Sequence, residues 1–260
     1  AIAIMGEEEI TATRQCQAVV DTASEEDVSK EVVDRDRKQT KGEELANTIS
    51  HAAMCLAAVL TAPWLISYAA KYGDKVTVGG TLVFVISMFC LYLASSLYHG
   101  VPGRHTGAKK AFRVLDHAVI YILIAGTYTP VLLGTLPNPW RWILLSVMWV
   151  IGIAGVLMKV IGDVGAYPRL STGLYLFMGW VGVLAGKPLL AVLPTRGLVF
   201  LVAGGLFYSL GCIFFMTDHV VKYGHFIWHL FVMSGTACHV IVVAVVCTLG
   251  PLKALTPQEV

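Results

Sequence analysis

Seven stretches of this chain are nearly free of charge and long enough to cross a bilayer, with short polar segments between them. They run from Ala46 to Ala70, Val76 to His99, Val114 to Leu136, Trp142 to Met158, Leu170 to Gly186, Gly197 to Thr217, and His225 to Leu249. Crossing about 30 Å of hydrocarbon as a helix takes roughly 20 residues. A helix also satisfies its own backbone where lipid offers no partner, which an isolated strand does not. The pattern therefore predicts an all-α membrane protein, a seven-transmembrane helix bundle, in which the fourth and fifth runs are the shortest.

Composition agrees with this reading. The chain is 56% hydrophobic and 14% charged, with a mean hydropathy of +0.70, and a soluble domain of this size would have too little polar surface to offer water. An integral multi-pass protein of the plasma membrane or an internal membrane is expected, with membrane lipids as its partners and no nucleic acid among them. Orientation follows from the basic residues. With the N-terminus inside, thirteen of the nineteen lysines and arginines fall on the inner side, including Arg104, Lys109, Lys110 and Arg113 in a single loop. The positive-inside rule then predicts a cytoplasmic N-terminus and an external C-terminus.

The chain before residue 41 differs in kind, with ten acids against five bases. Such a segment reads as an acidic, disordered or weakly helical cytoplasmic tail, and its lack of an apolar core after a basic start is unlike a secretory signal peptide. The expected organisation is a tail over 1–41, a membrane domain over 42–250 and a short external tail over 251–260.

Several residue types have ordinary packing roles. Cys55, Cys90, Cys212, Cys238 and Cys247 lie within spans and Cys16 in the tail, with no CxxC pair, so they read as small apolar packers. Gly79, Gly80, Gly204, Gly205 and Gly235 suit close helix approach in lipid. Trp140 and Trp142 at one boundary, with Tyr167, Tyr223 and Trp228 at the other, fit interfacial belts. Pro63 and Pro130 interrupt the backbone bonding of the first and third spans.

The chemistry lies in ionisable residues within apolar runs, where an Asp at a helix centre costs roughly 2.5–3.5 kcal/mol on insertion scales and so marks function. His225 and His229, in GHFIWHL, are four apart and share one helical face at a spacing that suits a single ion. By itself the pair is a weak signal, since two imidazoles bonded to backbone or headgroups are the commoner case. His99 is brought by the threading to the same inner face. Three histidines with a fourth position open to water describe a catalytic zinc shell, in which the pKa of the water falls toward 7. Asp116 reaches that face as well and would orient the water or take its proton, while Ser95, four residues before His99, would support it by a hydrogen bond. Against this, Asp116 also reads as a cap of the third helix or a partner of Arg113. His51 sits at the inner end of the first span and His117 points about 100° away from Asp116. His239 lies roughly 15 Å from His229 along the seventh helix, too far to share the ion and placed to bond a neighbouring helix.

The stretches GEELANTISHAA, SSLYHG, LDHAVIYILIAGTYTP and HFIWHLFVMSGTACH together resemble the hemolysin III branch of the progestin and adipoQ receptor (PAQR) family, from about Gly42 to Gly250. The resemblance implies a seven-helix bundle that binds Zn2+ near the cytoplasmic face through His99, His225 and His229. It places Asp116 and Ser95 close to the water. It also implies kinship with alkaline ceramidases, which cleave lipid amides.

The leading expectation is a zinc-dependent hydrolase of a lipid amide or ester, with an acyl chain entering sideways from the bilayer. The alternative is a receptor or sensor of membrane state in which zinc is structural. A pore-forming cytolysin is disfavoured, because the spans carry too few polar residues to line a wide aqueous lumen.

Overall fold

A computed structural model describes residues 39–103, 105–162 and 167–249. The expected acidic tail up to residue 38 and the C-terminal segment from residue 250 lie outside the described residues. Among the described residues, eight α-helices and one 3-10 segment form seven long apolar crossings. They are α1 (Lys41–Tyr72), α2 (Lys75–Gly100), α3 (Thr106–Thr135), α4 (Trp140–Ile161), α5 (Pro168–Trp180), the 3-10 turn Val181–Ala185, α6 (Gly186–Val192), α7 (Thr195–Met216) and α8 (Gly224–Cys247). Among the described residues there is no strand. Sequence neighbours pack side by side, and α8 closes against α1, α3 and α7.

The helices outrun their apolar stretches where polar residues stabilise the ends. Helix α1 begins at Lys41 and holds Glu43 and Glu44 in its first turn, where negative charge complements the helix dipole. Asp74 caps α2 by accepting a hydrogen bond from the Thr77 amide at 2.8 Å. That bond holds its carboxyl below the ordinary value of 3.8. Helix α3 starts at Thr106 with His105 as its N-cap, so Asp116 is an interior residue and the capping role entertained for it is excluded.

The fifth crossing is longer than its expected end at Gly186, and it is interrupted. Pro188 cannot donate a backbone bond, and its ring crowds the carbonyl four residues earlier, which belongs to Leu184 in the 3-10 turn. The α-helix therefore tightens before the proline and resumes as α6, reaching Val192. Lipid tolerates such a break only if the freed backbone groups find partners. Tyr128 of α3 supplies them, its hydroxyl donating to the Gly179 carbonyl and accepting from the Gly182 amide, both at 2.8 Å.

Helices α2, α3 and α8 are the most enclosed of the seven crossings. Small residues set their approach. A Cβ on Gly80 would lie 3.0 Å from the Pro130 Cα, and one on Gly235 would lie 2.8 Å from the Tyr208 ring. Gly79 faces open space instead, so the close approach expected of it does not occur. Trp140, Trp142 and Tyr167 are exposed at helix ends as interfacial anchors should be, but Trp228 is buried. It packs on Phe215 with ring centroids 5.2 Å apart and belongs to the core rather than to an interfacial belt. The five described cysteines are all free, in keeping with their reading as packers.

Candidate metal centre

His99 stands one residue before the end of α2, and His225 and His229 occupy the first two turns of α8. Because α2 and α8 both present these ends to the same side of the bundle, the three imidazoles meet. One ring nitrogen from each lies within 4.8 Å of the others, and the ring centroids are 4.9–5.2 Å apart. His229 is almost fully buried, and the other two retain less than a tenth of their surface.

The outward-facing nitrogens settle which tautomers are present. His99 Nδ1 lies 2.7 Å from Glu44 Oε2, and His225 Nδ1 lies 2.9 Å from Asp218 Oδ2. An ionised carboxylate only accepts, so both Nδ1 atoms carry the proton. Ser50 donates its single hydroxyl hydrogen to the Asn47 carbonyl at 2.9 Å. Its oxygen is therefore left to accept from His229 Nδ1 at 3.2 Å. In the neutral rings the Nε2 atoms are then the lone-pair donors, and His99 Nε2 is buried with no hydrogen-bond partner among the described residues. This is the arrangement in which metal-binding histidines are held, with the second nitrogen fixed by a carboxylate or another acceptor. The three residues can hold one metal ion.

These supporting residues escaped the sequence reading. Glu44 and Asn47 recur with the already noted His51 on one face of α1 at intervals of three and four residues, a polar stripe at the start of a membrane helix that would have marked them. Glu44 also accepts from Lys109 Nζ at 2.8 Å, which ties α1 to α3 at the site. The buried carboxylate of Glu43 accepts from the Tyr223 amide at 2.9 Å. Tyr223 has a left-handed backbone, φ 59°, a conformation disfavoured by roughly 1–2 kcal/mol for a residue with a Cβ. Glu43 thus secures the turn that launches α8 and its two histidines. Asp218, in the loop between α7 and α8, had no local pattern to reveal it.

Beside the histidines opens a cavity of about 320 Å³, lined by Ser95, Asp116, His225 and His229 at one end and by leucines and valines of α3, α6 and α7 farther in. Asp116 is buried. The Ser95 hydroxyl lies beside the Asp116 carboxyl without reaching hydrogen-bond geometry. The structure therefore gathers all five expected residues into one region. His51, expected in the vestibule, stacks flat on His229 at 3.5 Å, and neither of its nitrogens has a partner among the described residues. His117 packs against Phe215. His239 bonds across to α7 through Nε2, 3.4 Å from the Leu201 carbonyl.

The model of the haemolysin-III-related family matches residues 39–240, which takes in every one of these site residues. The chain is similar to Hemolysin-3 of Bacillus cereus, at 42% identity over 195 residues, covering 75% of this chain and 87% of that protein. It is similar to the Hemolysin-3 homolog of Bacillus subtilis (strain 168), at 38% identity over 209 residues, or 80% and 96% of the two chains. The human monocyte to macrophage differentiation factor is 29% identical over 212 residues, covering 78% of this chain and 83% of that protein. With its apolar crossings, its histidine cluster and this extent of match, the chain is an integral membrane protein of the haemolysin-III-related family, within the hemolysin III branch of the progestin and adipoQ receptors.

Proposed function

We propose that this protein is a zinc-dependent membrane hydrolase acting on a lipid amide or ester, with its active site at the cytoplasmic end of the bundle. The observation that carries the reading is the set of three buried imidazoles, each with Nδ1 engaged and ring nitrogens converging within 4.8 Å, two of them lining a mainly apolar cavity. Zinc held by His99, His225 and His229 would supply Lewis acidity and a lowered pKa for water.

The remaining roles fall to the chain itself. The Asp116 carboxylate accepts a proton from water as the water oxygen bonds to the substrate carbonyl carbon. It then returns that proton to the leaving nitrogen or oxygen as the acyl bond breaks. Ser95 donates a hydrogen bond to Asp116 or to the carbonyl oxygen. The apolar cavity wall excludes bulk water and takes the acyl chain.

The test is hydrolysis of a panel of long-chain amides and esters by the purified full-length chain. Asp116→Asn is expected to lower the rate at least a hundredfold while the bound metal remains. A wild-type protein loaded with zinc and inert on the whole panel would overturn the proposal. A receptor or sensor with a structural ion is the second reading, since braced imidazoles serve a structural site equally well. In that case Asp116→Asn leaves ligand response intact. A wide aqueous pore is poorly served by a cavity with such apolar walls.

A further inference from the structure

The three imidazoles of the metal centre are not braced alike. His99 and His225 each donate through Nδ1 to a carboxylate, at 2.7 and 2.9 Å. His229 instead meets the Ser50 hydroxyl at 3.2 Å, and no carboxylate among the described residues. A neutral hydroxyl at that distance is the weaker brace, since hydrogen bonds to ionised partners are shorter and roughly twice as strong. One such bond also leaves the ring free to rock about its own line.

What His229 lacks in charged partners it has in ring contact. His51 lies flat against it, with centroids 3.5 Å apart and planes 9° from parallel. Tyr92 stands edge-on to His51, with centroids 5.0 Å apart and planes at 86°. Tyr92 is fixed in turn by donating its hydroxyl hydrogen to Thr236 at 2.7 Å. All four side chains are buried, and Thr236 shares α8 with His229, so the contacts run from α8 through α2 and α1 and back to α8. Neither nitrogen of His51 has a hydrogen-bond partner among the described residues, which leaves ring contact as what orients it.

We propose that His51 is a positioning residue of the metal centre. Its ring, backed by Tyr92, holds the His229 imidazole in the orientation that brings it within reach of the other two. The inference rests on the reading of the three histidines as a metal site. Helix α1 contributes none of those three, yet it sets Ser50 against the Nδ1 edge of His229, His51 against its face and Glu44 against His99. A ring already held by packing loses little freedom when it takes up an ion, whereas a loose ring must be ordered at that moment.

The experiment measures Zn2+ affinity by chelator competition, and the visible spectrum of the Co2+-loaded protein, on the full-length wild type, His51→Leu and His51→Phe in detergent. The Co2+ bands respond to the geometry of its ligands. Leucine is close to histidine in size but has no flat face, while phenylalanine keeps the flat face and discards the nitrogens. His51→Leu is expected to bind Zn2+ about two- to tenfold more weakly, the cost of ordering one loose side chain, and to shift the Co2+ bands. His51→Phe returns both toward the wild-type values. A role in packing alone would lower stability to denaturant and leave the bands in place.

An unshifted Co2+ spectrum in His51→Leu, with or without a change in affinity, overturns the inference and leaves the metal site standing. So does a His51→Phe protein as impaired as His51→Leu, which would assign the effect to the nitrogens rather than to the stacked ring. A wild type that takes up neither Zn2+ nor Co2+ overturns the metal reading and the inference with it. If His51→Leu does not fold, His51→Asn, equally without a ring, takes its place under the same criteria. If His51→Phe does not fold, His51→Tyr replaces it.

Discussion

The two ends of this bundle are built on opposite terms. Where α2 finishes and α3 and α8 begin, the interior holds Glu43, Asn47, Ser50, His51, Asp116 and the three clustered histidines. At the opposite end, Leu132, Leu136, Leu189, Leu193, Val242 and Val246 pack together as a hydrocarbon core. Lipid tails are as apolar as leucine, so the second arrangement is held mainly by close packing. The first would be unstable in lipid unless its polar groups satisfied one another, and most of them do. The buried groups left without partners there include His99 Nε2, Ser95 Oγ and both nitrogens of His51. They gather at the histidine cluster and the adjoining cavity. The contrast separates residues that hold the fold from residues of the candidate metal site.

That division is open to direct attack by mutation. Glu44→Gln removes the charge that fixes the His99 tautomer and should weaken metal binding about 10- to 100-fold, as measured by competition with a chelating dye. Unchanged affinity would mean that the carboxylate is incidental. Leu132→Ala, in the apolar end, should lower stability by about 2 kcal/mol, chiefly through the cavity it leaves. Denaturant titration reads that loss, and zinc content should be untouched; a drop in zinc would show that the two ends are not independent.

Asp74→Ala, at the capped start of α2, should cost about 1 kcal/mol, with no effect on metal affinity. Because the folded pKa of Asp74 is depressed, its contribution is complete above the ordinary value of 3.8 and disappears as pH falls through the folded pKa. The difference in stability between wild type and Asp74→Ala should therefore shrink on acidification in that range. A difference that stays constant would remove the cap from the account.

Much of this was legible in the sequence, for identifiable reasons. The crossings show as unbroken apolar runs. The histidine cluster shows because HxxxH fixes two imidazoles on one helix face and the alternation of crossings brings His99 to the same end. Glu43 and Glu44 were hidden by their position, since the apolar run begins at Ala46 and the two acids merge with the charge of the preceding tail. Asp218 lies in a loop, where its reach to His225 depends on the turn that Glu43 secures. The break in the fifth crossing was obscured because Pro188 lies beyond the expected end of that span and its partner Tyr128 is on another helix. His239 stands apart from the three clustered histidines, as its spacing implies, but its unpaired Nδ1 is a property of the surrounding tertiary structure.

The most direct test of the central claim is metal content by plasma mass spectrometry on full-length protein purified without chelators, for the wild type and His225→Ala/His229→Ala. The account predicts about one zinc per wild-type chain, as expected for a single mononuclear site, and its loss in the double variant. A wild-type chain without zinc, or a double variant that retains it, would contradict the claim.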